Sequence, residues 1–319
     1  MLGALRAAGL AVGVALAFCA QPAVPPASAA ALKTIKVVYI PIGDSLPLYV
    51  AKDRGFFEQR GLDVELKAVP NAGAIITGLV SGSADIGTSV APTALQAEEA
   101  GLKFTIVAGA VAFPEPKLGV GILARTGSGI HAPQDLVGKS IGVATLRSYH
   151  WVMVRRWLEE SGVDPNKVKY VEVPFPEQGD ALKAGRIDAA VSVDPFYRRI
   201  IDRKIGYSFA DMMKTVPDGT LIDFYLSTQK WAEANRDAIA KFIDAMAEGR
   251  AYIRAHDKEA RASLAKWTKL PPGIADHVTI PEFKLPVNAG QIAWWIDLLQ
   301  REGLLHGKMD PNSMLLAAH

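Results

Sequence analysis

Leu79-Val80-Ser81-Gly82-Ser83-Ala84-Asp85-Ile86-Gly87-Thr88-Ser89-Val90 returns further along the chain as Leu182-Lys183-Ala184-Gly185-Arg186-Ile187-Asp188-Ala189-Ala190-Val191-Ser192-Val193. Leu79, Gly82, Asp85, Ser89 and Val90 recur as Leu182, Gly185, Asp188, Ser192 and Val193, each offset by 103 residues. Both stretches read as the end of a helix, a glycine turn, an aspartate and a strand of small residues. Upstream, Gly61-Leu62-Asp63 is matched by Gly162-Val163-Asp164, offset by 101. Two unrelated βα units share some turn chemistry. Five matches at one offset, with a second set nearly in step, favour two lobes built alike.

The neighbouring sequence obeys the same grammar. The β-branched run 35–40 reads as a buried strand, the turn 41–45 follows, and 47–57 reads as a helix with Pro47 in its first turn. Residues 62–68 alternate apolar and charged, which predicts a half-buried strand. Then come a helix over 72–80, a strand over 84–88, a helix over 92–100 and a strand over 104–110. The second half repeats the order: strand 140–144, helix 148–160, strand 168–173, helix 177–184, strand 187–193. The last third reads as mostly helical, over 231–255, 258–267 and 288–302. Asn288 and Gln291 have capping-box spacing for the last of these. Alternation of this kind predicts an α/β protein whose mainly parallel sheets are flanked by helices.

The chain has 319 residues, 50% hydrophobic and 21% charged, so a large core is available and disorder is excluded. Its net charge of +2 is no footprint of a nucleic-acid binder. Residues 1–30 carry one charge, Arg6, then an apolar run, then Pro25-Pro26-Ala27-Ser28-Ala29-Ala30. This pattern predicts a secretory signal cleaved near Ala29 or Ala30 rather than a membrane anchor. The only cysteine, Cys19, lies inside it. Phe18 before it is too bulky for a lipid-attachment site. The mature chain is then free of cysteine, near neutral and exported, which excludes disulfides and cysteine-ligated metals. The six histidines show no metal-binding spacing such as His-x-x-x-His. No cofactor and no metal are expected.

Two α/β lobes imply a binding cleft, because ligands sit outside the carboxyl ends of the strands in such sheets. The expected lobes are 33–118 plus 222–319, and 119–221, with crossings near 117–122 and 220–225 acting as a two-strand hinge. The cleft loops are then 41–46 and 145–149, with 88–90 and 192–195. Helix N-termini at such loops favour an anion.

Several motifs here resemble a known family. They are Tyr49-Val50-Ala51 with Gly55-Phe56-Phe57 and Gly61-Leu62-Asp63-Val64-Glu65-Leu66; Ser81-Gly82-Ser83-Ala84-Asp85-Ile86-Gly87; Asp135-Leu136-Val137-Gly138-Lys139-Ser140-Ile141-Gly142-Val143; and Ala181-Leu182 with Gly185 and Ile187-Asp188-Ala189. Together, and in this order, they resemble the nitrate/sulfonate/taurine and thiamine-precursor binding proteins. The resemblance implies a type-two periplasmic binding protein of an ABC importer, a monomer that closes on a small-molecule ligand and delivers it to an inner-membrane permease. One departure is Arg147-Ser148, where many members carry Gly-Ser or another small pair.

The candidate ligand residues are Gly43, Asp44, Ser45, Thr88, Ser89, Arg147, Ser148, Tyr149 and Asp194. For Asp44, Ser45, Thr88 and Ser89 the competing reading is a helix cap. Asp194 reads as a ligand acceptor, a lobe bridge or a cap before Pro195. Arg147 offers a fork for a carboxylate or sulfonate, or simply a surface ion pair. The expected ligand is a small organic anion such as a sulfonate, a carboxylate or nitrate. Asp44 and Asp194 keep a neutral or cationic nitrogen compound, such as a pyrimidine or an amide, as the alternative. Two other classes stay open: a ligand-sensing partner of a membrane receptor, and an enzyme on the same fold. There is no Gly-x-Ser-x-Gly elbow, no P-loop and no Gly-x-Gly-x-x-Gly opening a helix. The pyrimidine synthases that resemble this family carry a cysteine-rich motif that the mature chain lacks.

Overall fold

Alternating Leu62, Val64 and Leu66 put one face of a strand into the core, and that strand forms end for end as expected, Leu62–Ala68. The computed structural model describes residues 31–113, 119–213, 216–271, 273–284 and 286–316. The expected signal segment 1–30 with Cys19, and Lys117 and Leu118 of the first crossing, lie outside the described residues.

The first sheet contains β1 (Lys33–Tyr39), β2 (Leu62–Ala68), β3 (Ile86–Val90), β4 (Phe104–Ala112) and β10 (Leu221–Thr228), in the order β2-β1-β3-β10-β4. The second contains β5 (Val120–Arg125), β6 (Ser140–Val143), β7 (Lys169–Glu172), β8 (Ala189–Val193) and β9 (Gly206–Ala210), in the order β7-β6-β8-β5-β9. β1 runs parallel to both β2 and β3, and β6 runs parallel to both β7 and β8. β10 is antiparallel to β3 and β4, and β5 is antiparallel to β8 and β9. The sheets are therefore mixed, each with one antiparallel strand in the same position. That strand is the one formed just after the chain crosses from the other sheet. Sequence reading missed β9 and β10 and placed the last third as mostly helical.

Helices flank both sheets: α1 (Leu46–Asp53), α2 (Ala72–Val80) and α3 (Ala91–Glu99) in the first half, α4 (Tyr149–Glu160), α5 (Phe175–Lys183) and α6 (Phe196–Asp202) in the second. The chain then adds α7 (Gln229–Ala234), α8 (Arg236–Ala255), α9 (Asp257–Thr268) and α10 (Gly290–Arg301). Asn288 and Gln291 exchange the expected reciprocal bonds ahead of α10, at 2.8 and 3.3 Å.

The repeat has a physical cause. The Asp85 carboxylate accepts from Lys36 N at 2.8 Å, and Asp85 N donates to Lys36 O, so β3 is tied to the start of β1. The Asp188 carboxylate accepts from Ser140 N at 3.0 Å, and Asp188 N donates to Ser140 O, tying β8 to β6. Gly82 and Gly185 precede these aspartates at φ 72° and 68°, left-handed values that glycine adopts without a Cβ penalty. The motif is thus a stitch between adjacent parallel strands, used once in each sheet.

The largest buried side chain is Trp295 on α10, fully out of solvent. Its indole N–H donates to Leu221 O at 2.7 Å, the first residue of β10, and its ring meets Tyr149 of α4 edge-on at 5.5 Å. One apolar cluster includes residues of both sheets.

Candidate functional site

A cavity of about 70 Å³ opens between the two sheets. By volume it holds about five water molecules, or one small solute. Its walls come from both halves: Gly43, Asp44, Thr88, Ser89 and Asp223 from the first, Gly119, Ser148, Tyr149, His150 and Asp194 from the second. Ile40, Ile42, Val90, Val120, Val193 and Phe175 supply the apolar area.

Seven of the nine residues expected from sequence line this cavity: Gly43, Asp44, Thr88, Ser89, Ser148, Tyr149 and Asp194. Ser45 and Arg147 do not. Ser45 is buried behind the wall, where its hydroxyl donates to Ile40 O at 3.4 Å. Arg147 is exposed, and its Nε donates to Gln96 Oε1 at 3.4 Å, so its fork is spent outside the cavity. It also sits at φ 60°, a left-handed value that suits glycine and costs other residues roughly 1–2 kcal/mol. That accounts for the small residue expected there from the resemblance.

The capping readings resolve one by one. Thr88 Oγ1 accepts from Ile40 N at 3.4 Å, and neither Thr88 nor Ser89 caps α3. Ser148 stands at the N-cap of α4 with extended backbone, yet its hydroxyl pairs with Thr93 at 2.8 Å instead. The first turn of α4 therefore presents its N–H groups without a side-chain cap, beside the cavity. Asp194, only 6% exposed, does two things at once. One oxygen accepts from Arg198 N in α6 at 3.1 Å, and the other accepts from Thr279 N at 2.9 Å, in the segment after α9. Gly43 N donates to Asp194 O at 3.2 Å. With the Ser148–Thr93 pair, the Gln96 bond to Arg147 O at 2.8 Å and the Ala72 bond to Thr145 at 3.3 Å, these links clasp the halves around the cavity.

Asp223 and His150 are cavity residues that sequence reading missed. Asp223 and Asp44 both stand in the cavity wall, and their two carboxyls hydrogen-bond to each other. Burial raises the pKa of both, and the negative charge of Asp44 pushes Asp223 well above the carboxylate range. A shared proton relieves the repulsion between two buried carboxylates at this distance. Burial also raises Asp194. His150 is held down to about 3 by burial, so it is neutral at physiological pH. Its ring packs edge-on against Tyr149 at 4.6 Å and Phe175 at 5.3 Å, and among the described residues its Nε2 has no partner. Tyr149 lines the cavity, while Tyr39, Tyr49 and Phe196 are buried core.

His150 gives a signed pH dependence. The unfolded imidazole takes a proton below about 6.5, while the folded one takes it only near 3. This contribution to stability is fully present above 6.5 and is lost as pH falls through that window, by about 1.4 kcal/mol per unit. The stability difference between the protein and His150→Phe should therefore shift by about 2 kcal/mol between pH 6.5 and 5. Urea unfolding at the two pH values measures it, and an unchanged difference would mean an ordinary histidine.

Among the described residues no group of His, Cys, Asp or Glu is arranged to hold a metal. No helix among them is long and apolar enough to cross a membrane. Two α/β halves of matching topology around a ligand-sized cavity define the fold of the type-two binding proteins. The NMT1/THI5-like family model matches residues 43–260, and the chain belongs to that family. It is 24% identical over 276 residues to the bicarbonate-binding protein CmpA of Synechococcus elongatus, covering 77% of this chain and 59% of that one. It is 25% identical over 250 residues to the nitrate/nitrite binding protein NrtA of a Nostoc species, covering 72% and 56%. The chain thus spans less than two thirds of the length of these relatives. In structure it is similar to the alkanesulfonate-binding protein SsuA of Xanthomonas axonopodis pv. citri, solved with MOPS bound, at a TM-score of 0.78 and 21% identity. That match covers 91% of this chain and all of the other. These relatives are named as binding proteins for small anions, and the expected anion-binding solute receptor fits them.

Proposed function

We propose that this protein is the extracytoplasmic solute-binding component of an ABC importer, capturing one small solute between two lobes that close by a hinge. The observation that carries the reading is the cavity itself. Both halves wall it, and hydrogen bonds between the halves surround it. The lobes are 33–118 plus 222–319, and 119–221. Export by a cleaved signal, a permease partner and a monomeric state belong to the same reading. No residue set here performs bond chemistry in this account.

Two ligand classes are in play. The relatives' anions and the uncapped first turn of α4 support a small anion. The carboxyls of the wall, with no Lys or Arg among its described residues, support a neutral or cationic nitrogen compound. The reading is tested by thermal shift across sulfonates, carboxylates, nitrate, bicarbonate, amines and amidines. A ligand at a hundredfold its Kd adds about 2.7 kcal/mol, enough to raise Tm by roughly 5–10 °C. The same ligand should compact the protein in solution scattering. A panel without a single shift, or a binder that leaves the scattering unchanged, sinks capture by closure.

A further inference from the structure

We propose that the cavity selects a small protonated nitrogen base of the amidine, guanidine or amine class, seated on the Asp44–Asp223 pair. This rests on the solute-capture reading above.

Charge decides the class. The cavity wall carries three carboxyls, Asp44, Asp194 and Asp223, and among its described residues no Lys or Arg. Asp194 has both oxygens engaged by backbone N–H groups, so it is satisfied without a ligand. Among the described residues, the hydrogen bond of Asp44 and Asp223 is the one they share. The opposing feature is the first turn of α4, whose dipole amounts to about half an elementary charge. That does not offset a carboxyl pair carrying a full negative charge when it holds one proton and two when it holds none. Arg147, the one cation expected here from sequence, is held outside by Gln96.

Two neutral groups point to a ligand independently of the carboxyls. Ser89 is 5% exposed and lines the cavity, and its hydroxyl has no partner among the described residues. His150 Nε2 is likewise sealed and unpartnered. A buried polar atom without a partner is costly, and a ligand hydrogen bond relieves it. An amidinium or guanidinium presents several N–H donors in one plane, enough to meet a carboxyl pair and Ser89 together. The aliphatic wall and Phe175 then receive its carbon body.

The proton bookkeeping follows. When the pair holds one proton, one carboxyl donates to the other. When the cation arrives, that proton leaves to solvent and both carboxylates accept from the ligand: one cation enters, one proton departs, and the net charge of the site plus solution is unchanged. Tyr49 on α1, Tyr225 on β10, Tyr149 and His150 on α4, and Asp194 after β8 surround the pair. Burial keeps the tyrosines and the histidine neutral, so none supplies a competing positive charge.

The test uses pairs of equal shape and opposite charge: acetamidinium against acetate, and benzamidinium against benzoate, with guanidinium, nitrate and ethanesulfonate alongside. Calorimetry in two buffers of different ionisation enthalpy reads proton release. The amidinium member of a pair should bind at least a hundredfold tighter than its carboxylate. It should release up to one proton, and its affinity should rise with pH by up to tenfold per unit while the pair still holds its proton. Asp223→Asn keeps the shape, and it should cost more than tenfold in amidinium affinity and abolish the proton release. Asp44→Asn should do the same if the first variant folds poorly. An anion that binds while its cationic counterpart does not would overturn the nitrogen base and leave capture by closure standing. Silence across the whole set would count against both.

Discussion

Trp295→Ala is expected to lower stability by about 5 kcal/mol and Tm by 10 °C or more. Removing a fully buried tryptophan costs about 3–5 kcal/mol in lost burial and residual cavity. The same change strands Leu221 O, which now accepts from the indole at 2.7 Å, adding about 1–3 kcal/mol for an unpaired buried acceptor. In a chain of this size each kcal/mol is worth roughly 2–4 °C. Trp295→Phe separates the two parts, since it keeps an aromatic ring and loses only the bond and the second ring. A thermal melt of both variants measures this. A fall of less than about 4 °C for the alanine variant would show that α10 does not anchor the first residue of β10.

Gly119→Ala should be almost as damaging, for a different reason. A Cβ at Gly119 would stand 2.0 Å from the Asp194 carboxyl, far inside contact distance. The carboxyl cannot swing aside freely, because Arg198 N and Thr279 N hold its two oxygens. Displacing it breaks both bonds, each worth about 1.5–3 kcal/mol to a charged acceptor. The expected loss is about 3–5 kcal/mol, with a steep fall in affinity for any cavity ligand, since one broken bond clasps the lobes. A double-mutant cycle identifies the cause. In an Asp194→Ala background, Gly119→Ala should be nearly neutral, because the three atoms nearest the new methyl all belong to the Asp194 carboxyl. An equal cost in both backgrounds would place the clash elsewhere.

The sequence showed the repeated half of the fold clearly and the crossing strands poorly. β2 and α2 match their expected bounds because each has a single buried face and firm punctuation: alternation in the first, Asn71 and Gly82 around the second. β10 was hidden for the opposite reason. It lies inside its sheet, buried on both faces, so Leu221-Ile222-Asp223-Phe224-Tyr225-Leu226 shows no period that separates strand from helix. The cavity wall was legible at the carboxyl ends of strands and in the turns after them, which is why Asp44, Thr88, Ser89, Ser148 and Asp194 were named. Asp223 did leave a signal: a lone carboxylate in an otherwise apolar run. Thr279 left none, since a backbone N–H donates from any residue. Arg147 was misplaced because a charged fork beside a cleft loop looks like a clamp until the backbone angle turns it outward.

β5 and β10 each begin just after a crossing, and both reach the cavity, through Val120 on one and Ile222 and Asp223 on the other. In the proposed closure, a solute in this pocket presses on the pivot, where a small rotation moves the pocket wall very little. Contacts between the halves that lie farther from the crossings would travel farther for the same rotation. Recognition can thus be nearly complete while the jaws are still apart, and the rim contacts then report that the pivot is occupied. Altering what the protein recognises means altering the pivot itself, so selectivity and ease of closing should drift together whenever Asp223 or Gly119 changes.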